Sequence, residues 1–195
     1  IPAAWGGDAH ISKFVMIGVP NEGSADACST LIEGYSVTEG MRRRVPLLNK
    51  LTAEDAARTP SVFQLLPHVG VVKFLDENLK PIPVDLYDVE AWKQYGWSAI
   101  HTDEFRRRFA QTHGAKEPSD GANGIDGGGA YPSASDELDA YLAATLRRAR
   151  RFHQALDAAD SSNSPVVLLA IGGDCEETLN SPVLFRDQKR NRWVT

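Results

Sequence analysis

The 195-residue chain carries 21 Lys and Arg against 26 Asp and Glu, a net charge of −5 with a pI near 5.5, so no overall positive field draws it to nucleic acid. Its 42% hydrophobic and 24% charged residues describe a globular protein and exclude a disordered or collagen-like one. No apolar run reaches the roughly 18 residues that a membrane span needs.

The chain opens "IPAAWGGDAH" without an initiator methionine, a basic region or an apolar core. No targeting address is readable there, and the expectation is that Ile1 is not the native start. In "ISKFVMIG" the continuous apolar run 14–17 predicts a strand buried on both faces, as in parallel α/β sheets. It leads into "VPNEGS", where Pro20 and Gly23 break regular structure and leave Asn21, Glu22 and Ser24 on a loop at the strand's carboxyl end. α/β folds place their chemistry at that end. From Ala25 to about Lys50 the helical spacing is weak, and the basic cluster Arg42 to Arg44 reads as solvated surface.

In "TPSVFQLLPH" Thr59 suits a helix cap, Pro60 the first helical position, and Val62, Phe63, Leu65 and Leu66 an apolar face. Pro67 ends that helix. "VVKFLDENLKPIPVDLYD" reads as a hairpin around Asp-Glu-Asn, confined to an edge by Pro81 and Pro83. "DVEAWKQYGW" and "TDEFRRRFAQTH" predict short helices, the second pairing Phe105 with Phe109. Short elements between two stronger strands predict a cap inserted into a sheet. "EPSDGANGIDGGGAYPSAS" is a loop by composition and lacks the Gly-Lys-Ser/Thr ending of a phosphate-binding loop.

The long helix is the clearest element. Leu138, Leu142, Leu146, Ala149, Phe152 and Leu156 recur at spacings of three and four behind Asp136 and Glu137. Next come a polar turn and the apolar run 166–171, an αβ unit of a layered fold. The end of the chain predicts a hairpin of 183–186 with 192–195.

Three catalytic readings arise. Asp174 follows two glycines at the end of the apolar run 166–171, the position of a carboxylate at a sheet edge. "GYSVT" has the first glycine and the serine of a G-x-S-x-G elbow, but Thr38 stands for the second glycine and no buried strand precedes it. Ser36 is therefore a poor nucleophile candidate. The histidines, His10, His68, His101, His113 and His153, all precede Asp174, whereas the hydrolase order is serine, acid, histidine. The chain alone does not assemble a triad. Cys28 and Cys175 form no C-x-x-C pair, so neither a zinc nor a redox site is indicated, and whether they pair with each other is open. Neither a metal nor a cofactor is expected.

Three motifs carry a family resemblance. "ISKFVMIGVPNEGS" resembles the strand and loop after the serine elbow in lipases and acyltransferases of the lecithin:cholesterol acyltransferase-like family, with Gly18, Pro20, Gly23 and Ser24 matching and Val19 replacing a small residue. "TPSVFQLLP" is similar to the cap-helix motif of the family's bacterial branch, and "AIGGDCEETLNSPVLFRD" to its Gly-Asp-Cys strand and the strand that follows. The resemblance implies a partial α/β-hydrolase fold, with parallel core strands and a mostly helical cap. Residues 1–24 would supply a core strand and active-site-edge loop, 25–135 the cap, and 136–195 a core helix and later strands. It also implies that the elbow lies before Ile1 and that the acid and histidine lie beyond Thr195, since Asp174 aligns with the Gly-Asp-Cys aspartate.

The expected function is a segment of a serine ester hydrolase or acyltransferase acting on lipid-like or other apolar acyl esters through an acyl-enzyme. Pro20, Asn21, Gly23 and Ser24 would border the substrate, and Phe63, Leu66, Trp92 and Trp97 would form cap core or line an acyl channel. The alternative is a non-catalytic α/β module whose cap surface binds a partner. A nucleotide-binding reading of "AIGGD" is weaker, because no G-x-G-x-x-G opens a helix after either strand.

Overall fold

The computed structural model describes residues 7–36, 50–113, 134–158, 165–173, 179–188 and 192–194. In chain order its elements are β1 (Lys13–Ile17), α1 (Ala25–Glu33), β2 (Tyr35–Ser36), β3 (Lys50–Leu51), α2 (Ala53–Ala57), α3 (Pro60–Gln64), α4 (Val89–Tyr95), α5 (Asp103–His113), α6 (Ala134–Asp157), β4 (Val167–Ile171), β5 (Phe185–Asp187) and β6 (Arg192–Val194). Helices are mixed with a small parallel sheet of two strands, so the chain is α/β. The predicted cluster Arg42 to Arg44, the Gly-rich loop, Asp174 and Cys175 lie outside the described residues.

The two strongest apolar runs pair with each other. β1 and β4 run parallel in unbroken register, from Lys13 opposite Val167 to Ile17 opposite Ile171. The expectation that this sheet is buried on both faces is corrected. Phe14 is 49% exposed, Ile17 71%, Leu168 60% and Ile171 56%. Apolar alternation alone cannot bury a strand, because burial needs a covering layer on each face.

The core lies in the helical part. It joins Leu31 and Ile32 of α1, Phe63 of α3, Trp92 of α4 and Phe105 of α5 to Leu138, Leu142, Leu146 and Ala149 of α6. Burying each large apolar side chain of this set contributes about 1.5–3 kcal/mol. α6 lays its stripe on α3, with further contact to α4 and α5. The stripe stops early, however, since Phe152 and Leu156, expected to continue it, are 40% and 50% exposed. His153 is buried in their place.

Local chemistry sets the ends of these helices. Thr52 and Asp55 form a reciprocal capping box on α2. Asp88 caps α4 by accepting from the Glu90 N–H at 3.0 Å, and Gly96 closes it in the left-handed conformation at φ 65°. Thr59 precedes α3 as expected, but its hydroxyl donates to the Asp55 carbonyl at 2.9 Å and does not cap its own helix. The expected edge hairpin survives in miniature. Asp76 N–H donates to Lys80 O at 2.8 Å and Ile82 N–H to Phe74 O at 2.9 Å, around a turn that Asp76 Oδ1 braces by accepting from the Asn78 and Lys80 N–H groups. β5 and β6 pair antiparallel, Phe185 opposite Val194, close to the predicted hairpin.

Candidate active-site edge

Both parallel strands end in glycine, and their carboxyl ends are tied by Gly18 N–H donating to Ile171 O at 2.8 Å. The loop 20–24 therefore leaves the sheet beside Gly172 and Gly173. Two small turns shape it, Asn21 N–H donating to Val19 O at 3.0 Å and Gly23 N–H to Pro20 O at 2.9 Å. Pro20, Asn21 and Glu22 are exposed, whereas Gly23 and Ser24 are half-buried.

The second half of this loop is fastened to the segment that ends α3. Gly23 holds φ 81°, and a Cβ there would meet Leu66 O at 2.3 Å and Pro67 Cα at 2.8 Å, so only glycine fits. Ser24 N–H donates to Leu65 O, and His68 N–H to Glu22 O, each at 2.8 Å. The Ser24 hydroxyl caps α1 by accepting from the Asp26 N–H at 3.2 Å. Of the predicted site residues, Gly23 and Ser24 thus have structural duties, while Pro20 and Asn21 present the exposed rim. The Asn21 amide lies 3.3 Å from Met16 Sδ.

The remaining candidates separate. Ser36 follows α1 and Gly34 in the short strand β2, so the order is helix, turn, strand, the reverse of an elbow. Phe63, Leu66, Trp92 and Trp97 are fully buried. Their rings pack on one another, Phe63 with Trp92 at 6.0 Å and Trp92 edge-on to Trp97 at 5.9 Å, and Trp92 Nε1 donates to Leu86 O at 2.7 Å. They belong to the buried core of the helical part. Cys28 is a buried free thiol, pushed up to about 12 by burial.

A polar cavity of about 400 Å³ opens where the segment after α3 meets α6, lined among others by His68, Asp85, Tyr87, Arg150, His153 and Asp157. His68 Nε2 lies 2.6 Å from Asp157 Oδ2, and Nδ1 lies 3.2 Å from the Val69 carbonyl oxygen. His68 is raised above its ordinary value, first by the Asp157 hydrogen bond. Arg150 pairs with Asp85 at 2.5 Å and covers the Tyr87 ring. The Tyr87 hydroxyl turns into the core, donating to Leu66 O and Pro67 O at 3.0 and 3.1 Å. His153, 3% exposed, sets its ring against those of His68 and Tyr87, and its Nε2 has no hydrogen-bond partner.

This cavity holds two acid–base pairs but no hydroxyl or thiol nucleophile in its lining. A second histidine–aspartate pair, His101 with Asp139, lies outside this lining and also binds Lys93 and Arg106 through the same carboxylate. Among the described residues no three metal-ligating side chains come together, and no helix is long and apolar enough to cross a membrane. Sequence reasoning missed the cavity, although the spacing of Arg150, His153 and Asp157 on one helix face was a signal. His68 lies 89 residues from Asp157, a distance that helical spacing does not bridge. No family model matches the chain, nor does any curated protein or solved structure.

Proposed function

We propose that this chain is the cap-bearing segment of a serine ester hydrolase or acyltransferase of α/β-hydrolase architecture, related to the lecithin:cholesterol acyltransferase-like family and acting on apolar acyl esters. The observation that carries the proposal is the in-register parallel pairing of β1 with β4, two strands far apart in sequence whose carboxyl ends bring the loop 20–24 beside Gly172 and Gly173. Ligands bind outside such ends in open α/β sheets. The uncovered apolar side chains on both sheet faces add support, because this architecture supplies further strands and covering helices from polypeptide outside residues 1–195. In that reading the serine elbow precedes β1, and the acid and histidine follow β6. The residues described here set the rim and roof of the pocket.

The chemistry would be attack of an activated serine on the ester carbonyl, with histidine taking the serine proton and returning it to the leaving alcohol. The acyl-enzyme would then be released to water or to a second alcohol. The competing reading, a non-catalytic module that binds a partner through its cap, draws on the lack of a nucleophile in the lining of the cavity beside α6.

One experiment separates them. The 195-residue chain and the complete protein are treated with a serine-directed fluorophosphonate and assayed with p-nitrophenyl esters. The complete protein is expected to be labelled upstream of residue 1 and to turn over ester, and the 195-residue chain to do neither. The complete protein's Asp174→Asn variant should keep most of its activity. Labelling at Ser36, or a complete protein inert to the probe, would sink the proposal. A loss of about four orders of magnitude in Asp174→Asn would return that residue to the role of triad acid.

A further inference from the structure

The loop 20–24 is the part of the proposed site that this chain itself supplies, and it has no covalent or sheet constraint beyond Gly18. It is held instead by the segment after α3. Gly23 abuts Leu66 O and Pro67 Cα, and the His68 N–H holds the Glu22 carbonyl at 2.8 Å. The His68 side chain in turn reaches α6 through Asp157 at 2.6 Å. A chain of contacts thus runs from α6, through one imidazole, to the loop.

The hydrogen-bond inventory of that imidazole is decisive. Nε2 faces a carboxylate oxygen and Nδ1 faces the Val69 carbonyl. Both partners are acceptors at neutral pH, so both ring nitrogens must carry protons for both contacts to be hydrogen bonds. A neutral imidazole has one proton to give, and its bare nitrogen would face an oxygen lone pair. The titratable and charged groups facing it are Asp157 and the His153 ring on α6, Glu22 in the loop, and, lining the same cavity, Tyr87 and Arg150 with Asp85.

We propose that His68 is a positioning residue for the loop 20–24, setting the loop against α6 when the imidazole is protonated and loosening it when the proton is lost. The inference rests on the ester-site reading for what the loop borders, but not for the contact itself. The sign follows from the partners. Asp157 raises His68 above its ordinary value of about 6.5, so the clip is complete below that pH and is lost as pH rises through the raised value. An ester site controlled in this way has its rim set below the raised His68 value and loosened above it.

The test uses nuclear magnetic resonance on the 195-residue chain, following the His68 ring and the Glu22, Gly23 and Ser24 amides against pH. The loop amides are expected to titrate with the midpoint of the His68 ring, above about 6.5. Asp157→Asn should lower both midpoints together, and His153→Gln should leave the coupling in place. In His68→Gln the loop amides should no longer titrate near neutrality. Loop amides that ignore the His68 titration, or that still titrate in a folded His68→Gln, overturn the proposal. If His68→Gln does not fold, the Asp157→Asn midpoints decide alone: loop and ring midpoints that move apart overturn it. In the complete protein, kcat/KM for an ester should fall on the alkaline side with the same midpoint, and that limb should vanish in His68→Gln. A protein with no esterase activity whose loop still follows His68 would end the ester reading and leave the clip standing.

Discussion

His101 sits with Nε2 2.5 Å from Asp139 Oδ1, while its Nδ1 is buried without a partner. Burial is the largest influence on it and holds it below its ordinary value, against the pull of Asp139. Burial alone would raise Asp139 too, yet the hydrogen bonds from His101 and Lys93 outweigh it and hold that carboxyl low. A histidine lowered by folding binds fewer protons than its unfolded form, so it costs stability as pH falls below about 6.5. His68 has the opposite sign, because its raised value stabilises the fold on the acid side. His101→Gln should therefore gain stability relative to wild type between about pH 7 and pH 5, read as the difference in urea midpoints. A difference that stays constant with pH would show that folding leaves the protonation of His101 unchanged. Neither sign was legible in the sequence, where the two residues are isolated histidines.

At the scale of elements, α6 shows where periodicity informs and where it stops. Its spacing of three and four correctly marks Leu138, Leu142, Leu146 and Ala149 as buried. The same spacing extends to Phe152 and Leu156, which are exposed, while His153 between them is buried. Leu142→Ala should cost about 2–5 kcal/mol, from the lost apolar transfer and the cavity it leaves. Leu156→Ala should stay within about 0.5 kcal/mol, both measured by urea unfolding of the 195-residue chain. Equal losses would mean that the last turns of α6 are covered in solution. α1 is the opposite case, a well-formed helix whose small residues Ala25, Ala27 and Cys28 are buried without making a strong apolar stripe.

The molecule as a whole divides its apolar surface unevenly. The helical part closes its own core, whereas β1 and β4 leave Phe14, Val15, Ile17, Leu168 and Leu169 in solvent. Sheet faces and edges left open in this way invite association. The isolated 195-residue chain should bind a hydrophobic dye and self-associate as concentration rises. The double substitution Phe14→Ser and Leu168→Ser should lessen both effects while leaving the unfolding of the helical part unchanged. A monomer that ignores the dye would show that the sheet is covered by residues of this chain.

The sequence by itself determined the local elements: the two strong strand runs bounded by glycine, α3 opened by proline, the long α6, and the closing hairpin. These follow from periodicity, caps and breakers, which act over a few residues. It also determined that no histidine follows Asp174, so that carboxylate has no base after it within these residues. Tertiary structure alone decided that β1 and β4 are neighbours, that Phe63, Trp92 and Trp97 fill a core, and that Gly23 and Ser24 are fastened to the segment after α3. It also decided that His68 meets Asp157. Each of these depends on groups distant in sequence coming within contact range, and no local pattern encodes that.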